Sequence, residues 1–192
     1  MATASCGSIT VNGYRFYNGG WSETTFRSLA ASYSRTGGDP DYVTVDKITL
    51  PSFTDAKFVA PYTLKLSIPI TKGSTSVTTT SGTLTVHMYS SDPGGTKQYA
   101  TSPSPTNPPS GYIGSGSASY SGLDNDIQTF DISVTISNTD LTSGTSYYLW
   151  IQTTSLTMIH LEGKAPTGTL TGTVATFPVT YNANGGSPTP SS

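Results

Sequence analysis

The sequence predicts an all-β protein built as an antiparallel β-sandwich, and three observations carry that expectation. Apolar and polar residues alternate with period 2 in several separate stretches, while the 3.6-residue period of a helix is almost nowhere sustained. Charged residues are 10% of the 192 residues, far below the roughly 25% of an average soluble domain, and Ser, Thr, Asn and Gly supply the polarity instead. Twelve Tyr, six Phe and two Trp provide the apolar area of a sizeable core without many Leu or Ile.

Taken in order, Ile9, Val11 and Tyr14 to Tyr17 read as a first strand, closed by Asn18-Gly19-Gly20. Trp21 to Tyr33 fits either a helix or a strand and is the one stretch able to supply a helix. Gly37 to Asp41 is a loop, and Tyr42 to Leu50 alternates up to Pro51. In Tyr62 to Ile70, Leu64, Leu66, Ile68 and Ile70 share one face, and Thr63, Lys65, Ser67 and Pro69 share the other. Pro69 cannot donate to a ladder, so it predicts an edge strand or a bulge. Thr83 to Tyr89 points Leu84, Val86 and Met88 inward; Phe130, Ile132, Val134 and Ile136 form another inward row, and Tyr147, Leu149 and Ile151 the last strong one. Thr169 to Thr176 is a weaker final strand of small residues. Between Ser90 and Asp126 runs a Ser/Pro/Gly/Tyr-rich stretch, including Ser102-Pro-Ser-Pro-Thr-Asn-Pro-Pro-Ser110, which reads as one long loop, either functional or filler.

The net charge is −2 with no Lys/Arg cluster, which excludes the basic stripe of nucleic-acid binding and the basic amphipathic segment of a membrane-surface helix. Cys6 is the single cysteine, so no intrachain disulfide framework exists. Met1 to Ser8 lacks the basic and apolar regions of a secretory signal, and no run reaches transmembrane length. Synthesis and folding in the cytoplasm are therefore expected.

Three stretches carry resemblances. Leu141-Thr-Ser-Gly-Thr-Ser-Tyr147 followed by Tyr148-Leu-Trp-Ile151 resembles the corner of immunoglobulin-like and fibronectin-type sandwiches, in which the Tyr hydroxyl bonds back to the backbone. The fold expected is thus a jelly-roll or immunoglobulin-like sandwich over residues 1–176. Phe177-Pro-Val-Thr-Tyr-Asn-Ala-Asn-Gly-Gly186 resembles the opening strand and turn of the Listeria–Bacteroides (internalin B-type) repeat, found in tandem on surface and adhesive proteins of Gram-positive bacteria and their phages. Residues 177–192 would then be the start of a truncated repeat, or a flexible tail. Tyr62 to Ile70, Leu84-Thr-Val-His-Met-Tyr-Ser-Ser-Asp-Pro93 and Tyr147 to Ile151 together resemble β-sandwich domains of phage tail and baseplate proteins.

That last resemblance implies a non-enzymatic structural or adhesion module of a phage tail or virion appendage. It would assemble as a homo-oligomer or with other virion proteins, and contact host-surface glycan. The alternative is a carbohydrate-binding module of a bacterial cell-surface protein, and the corresponding locations are the virion or the extracellular surface.

No Gly-x-Ser-x-Gly elbow or His-Glu-x-x-His helix is present. His87 and His160 read as solvated or hydrogen-bonded strand groups rather than bases, and Glu23 and Glu162 are the two glutamates. Most Asp residues sit in turns, where they bond their own backbone, so the two facing carboxylates of a glycosidase are not evident. No cofactor is expected. Asp124-Asn125-Asp126 is an oxygen-rich loop that Ca²⁺ would fit; its competing reading is an Asx-turn, and Asp39-Pro40-Asp41 shares the ambiguity. For sugar stacking, the candidates are Tyr89, Tyr148 and Trp150 with Gln152, because inward Tyr147, Leu149 and Ile151 place Tyr148, Trp150 and Gln152 on an opposite, exposed row. The competing reading packs that row against another sheet, a subunit or the long loop.

Overall fold

The computed structural model describes residues 1–17, 25–28, 43–71, 80–93, 110–153 and 165–177. They form ten strands: β1 (Thr3–Ser8), β2 (Thr10–Tyr17), β3 (Arg27–Ser28), β4 (Val43–Thr49), β5 (Phe58–Ile70), β6 (Gly82–Tyr89), β7 (Tyr112–Tyr120), β8 (Gln128–Ile136), β9 (Ser146–Thr153) and β10 (Thr167–Val174). One 3₁₀ turn, Asp55–Lys57, precedes β5, and the described residues contain no α-helix. All pairings are antiparallel, in the order β1-β10-β5-β8-β7-β6-β9-β4-β2-β3.

The continuity of that sheet is thin at one place. β7 and β8 share the single pair Ser115↔Thr135, so the ladder divides there into a half of β1, β10, β5 and β8 and a half of β7, β6, β9, β4, β2 and β3. The inward rows of both halves meet in one core. Leu64, Leu66, Ile68, Ile132, Val134, Ile136 and Leu170 come from the first half, and Tyr14, Ile48, Leu84, Val86, Met88, Leu149 and Ile151 from the second. This is the sandwich the alternation predicts, because each half has one apolar face to cover. The chain crosses between halves at Ile9, whose N–H donates to the Gly168 carbonyl at 3.0 Å, so β1 lies in one half and β2 in the other. The sequence pattern does not mark the segment before Ile9 as a strand, and β1 is an addition to the expected set.

β5 and β8 pair with Leu64 opposite Val134, Leu66 opposite Ile132 and Ile68 opposite Phe130. β5 lies between β10 and β8 and is not an edge. At Pro69 the β10 ladder has already ended, opposite Ser67 two residues earlier, so the proline, which has no N–H to donate, faces a ladder on the β8 side alone. At the corner before β9, the Thr142 N–H donates to the Tyr147 hydroxyl at 3.1 Å and Gly144 takes φ +64°, the contact that the immunoglobulin-like resemblance implies.

The stretch 90–126, read as one long loop, contains strand β7. Its Gly-Ser-Gly-Ser-Ala-Ser sequence hides it. A Cβ at Gly114 would run into the Thr135 carbonyl oxygen, and one at Gly116 into that of Ser133. β8 occupies the space where inward side chains would stand. Of the ambiguous 21–33 stretch, Arg27–Ser28 is strand β3 and most of the rest lies outside the described residues. So do residues 178–192 of the repeat-like stretch; Phe177 before them is 69% exposed.

Candidate functional site

The four residues proposed for sugar stacking do come together. On the outward face of the second half, Tyr89 pairs with Tyr148 and His87 with Trp150, Trp150 with Val45 and Tyr148 with Lys47. Period 2 put the right side chains on the right face. The face is not open, however. Trp150 is 1% exposed and Tyr89 0%, while Tyr148 and Gln152 are half-buried. Val45, Tyr89 and Trp150 form a second apolar cluster, with Phe26 and Tyr148 packed on it. The ring centroids of Tyr89 and Trp150 are 6.4 Å apart, and those of Phe26 and Tyr148 5.8 Å. The expected exposed row is thus corrected to a covered one, and neither Tyr89 nor Trp150 offers a ring face to a sugar.

A charge is sealed into the same face. Arg15, opposite Val45 on β2, makes a bidentate ion pair with Asp92, with one Nη donating to Oδ2 at 2.8 Å and the other to Oδ1. Its guanidinium carbon lies 4.5 Å from the centre of the Phe26 ring. Planar, forked donors and an aromatic face suit Arg better than Lys for such burial. His87, expected on the surface, is buried as well, and burial holds its imidazole below its usual pKa. Burial, helped by the neighbouring Tyr112 phenol, pushes Tyr89 up to about 12. Both groups are therefore neutral at neutral pH. Among the described residues, Tyr89 Oη and His87 Nδ1 have no hydrogen-bond partner.

The acidic stretch forms an Asx-turn: the Asp126 N–H donates to Asp124 Oδ1 at 2.9 Å, with all three residues exposed. Among the described residues no three His, Cys, Asp or Glu side chains gather where they would hold a metal ion. His160, Glu23, Glu162, Asp39 and Asp41 lie outside the described residues.

Two surface depressions involve residues not singled out in the sequence. The larger, about 610 Å³, lies on the outward face of β10, β5 and β8 and is lined by hydroxyls with Lys65 and Asp131, but by no aromatic ring among the described residues. The smaller, about 390 Å³, lies where β7 meets the segment after β8, and Tyr112 stands at it beside Ser115, Thr135, Asn138 and Thr139. The smaller one has the chemistry that the buried row lacks, an exposed ring next to neutral polar groups, and Tyr112 is 39% exposed.

No family model matches the chain, and no curated protein does. Among solved structures, an arabinose-bound MgGH51 α-L-arabinofuranosidase is similar over 84% of this chain and 26% of its own, at 11% identity and a TM-score of 0.33. The chain thus spans about a quarter of that enzyme, and a likeness so distant assigns neither a family nor an activity.

Proposed function

We propose that the chain is a non-catalytic structural and adhesion module of a phage tail or related virion appendage, one that assembles with copies of itself or with other virion proteins and touches cell-surface glycan. The observation that carries this reading is what the carboxylates do. Asp140 Oδ1 accepts from the Ala60 N–H at 3.0 Å, Asp55 Oδ1 from the Ser143 N–H at 3.0 Å, and Asp131 Oδ1 from the Ser67 hydroxyl at 2.5 Å. Asp92 is held by Arg15, and Asp124 by its own turn. The bonds of Asp140, Asp55, Asp131 and Asp92 each join residues far apart in sequence and tie one part of the frame to another. A hydrolase needs a carboxyl or imidazole aimed into a cleft at reacting distance from a partner; these five carboxylates are instead engaged in bonds within the frame.

The alternative, a carbohydrate-binding module of a bacterial cell-surface protein, is favoured by Tyr112 and its uncommitted polar neighbours. Mass measurement in solution, run beside a glycan array, separates the readings. A defined oligomer supports the virion module. A monomer at high concentration that binds glycans supports the alternative, and a monomer that binds none removes both.

A further inference from the structure

We propose that the cleft between β7 and residues 137–139 is the sugar-contacting site, and that it takes one neutral pyranose residue with its apolar ring face laid on Tyr112. This rests on the glycan-contact reading above and gives it a location and a ligand class.

The first argument is backbone register. Met88 pairs with Gly114 but Tyr89 pairs with Tyr112, so one extra residue, Ile113, sits in β7 between them. Without that bulge Tyr112 would share the inward face with Gly114 and Gly116. With it, the side chain moves to the outward face beside Ser115, which pairs with His87. Bulges of this kind re-aim a side chain at the rim of a sheet and are over-represented next to functional sites.

The second is preorganisation. The Tyr112 ring makes T-shaped contacts with the His87 ring at 5.7 Å and the Tyr89 ring at 5.9 Å between centroids, and both supports are buried. Its hydroxyl donates to Ser115 Oγ at 2.9 Å. A ring fixed at both ends loses little freedom when a ligand stacks on it. Since Ser115 Oγ accepts that bond, its own O–H is left to donate.

The third is the chemistry of the opposite wall. Gly114 lets β8 approach so closely that Thr135 and the segment beyond it line the same cleft as Tyr112. The Asn138 amide is exposed, with no hydrogen bond to another described residue, and Thr139 offers a hydroxyl beside it. An amide supplies donor and acceptor together, which matches sugar hydroxyls. Among the described residues no charged side chain lines the cleft, and the adjacent carboxylate, Asp140, is engaged by the Ala60 N–H. An anionic sugar would find no cation in that lining, and a cationic ligand no anion. The volume of about 390 Å³ is at the small end of ligand pockets of roughly 300–1,000 Å³, which suits a single ring rather than a long chain.

The test is saturation-transfer NMR on the full chain with neutral methyl glycosides of glucose, galactose, mannose and N-acetylglucosamine, followed by titration of whichever binds. The expected result is transfer strongest to protons on one ring face. Tyr112→Ala should weaken binding by at least about tenfold and Asn138→Ala by severalfold, with melting temperature near wild type, while Tyr112→Phe retains most of the affinity. If Tyr112→Ala fails to fold, Asn138→Ala and Tyr112→Phe still decide. Wild-type binding that survives both Tyr112→Ala and Asn138→Ala overturns the site and leaves the glycan reading standing. Binding confined to anionic sugars overturns the ligand class. No binding by wild type, either here or on a glycan array, overturns the site and the glycan-contact reading together.

Discussion

Two rows of side chains, each outward-facing and each running across four strands, meet opposite fates. On the first half, Ser8, Thr169, Lys65 and Ser133 stand side by side, all exposed. On the second, Arg15, Val45, Trp150 and His87 stand side by side, all buried. The backbone physics is identical, since period 2 alone decides which face a residue takes. What differs is the cover, and the residues record it. Hydroxyls and one ammonium need no shelter from water. A Trp, a Val and a guanidinium stacked on Phe26 reflect a face buried twice over, core on one side and a second apolar cluster on the other.

The sharpest way to break this contrast is to truncate one residue of each row. Trp150→Ala should cost about 3–5 kcal/mol, the range for removing a buried aromatic, whereas Lys65→Ala should stay within about 0.5 kcal/mol, as surface changes do. Urea unfolding of both variants checks it; a cost under about 1 kcal/mol at Trp150 would mean the cluster is loosely covered. Next in size, Asp92→Asn removes the charge paired with the buried Arg15 guanidinium and should cost about 1–3 kcal/mol. Because the Asp92 side chain is 39% exposed, added salt should narrow the gap between variant and wild type in part.

The pH dependence comes third. The His87 pKa is lowered from 6.5 by burial, so the unfolded chain gains the proton first on acidification. Stability is therefore whole above pH 6.5 and declines as pH falls from there toward the folded-state value. Tyr89 works in reverse: its pKa rises from 10 to about 12, so stability present below pH 10 is lost as pH climbs toward 12. Thermal melts of wild type, His87→Phe and Tyr89→Phe across pH 5 to 11 should show each variant flattening one limb. The smallest effect is expected from deleting Phe177 to Ser192. β10 closes at Val174 and Phe177 stands largely in solvent, so a fall in melting temperature of more than a few degrees would show that this segment packs on the sandwich.

Much of the frame was legible because most strands bury one face only. Leu64, Leu66 and Ile68 declare their strand by alternating with polar neighbours, and so do Ile132, Val134 and Ile136. β7 was not legible, since its inward positions are Gly114 and Gly116 and the apolar partner is the backbone and side chains of β8 rather than β7's own residues. At the aromatic row, parity placed Tyr148, Trp150 and Gln152 correctly, but parity says nothing of cover. A signal was there: Tyr147-Tyr-Leu-Trp-Ile151 is an unbroken apolar run, the mark of a strand buried on both faces. Tyr112 could not be found by periodicity, because the bulge at Ile113 reverses the phase of the strand just before it.

The pairing of β1 with β10 has a mechanical consequence. Thr3 lies opposite Thr173 at one end of that ladder and Ser8 opposite Thr169 at the other, and the Val174 N–H reaches back to the Ala2 carbonyl at 2.9 Å. The chain thus enters β1 and leaves β10 at the same corner. Tension between flanking segments would open this ladder like a zipper, one hydrogen-bonded pair at a time from Thr3 and Thr173, instead of shearing all its bonds at once. Single-molecule stretching should record a low first yield force, and a covalent cross-link across that pair, made by combining Thr3→Cys with Thr173→Cys, should abolish it. A module strung in a fibre under load would give way first at this corner, with the β5–β8 core behind it still closed.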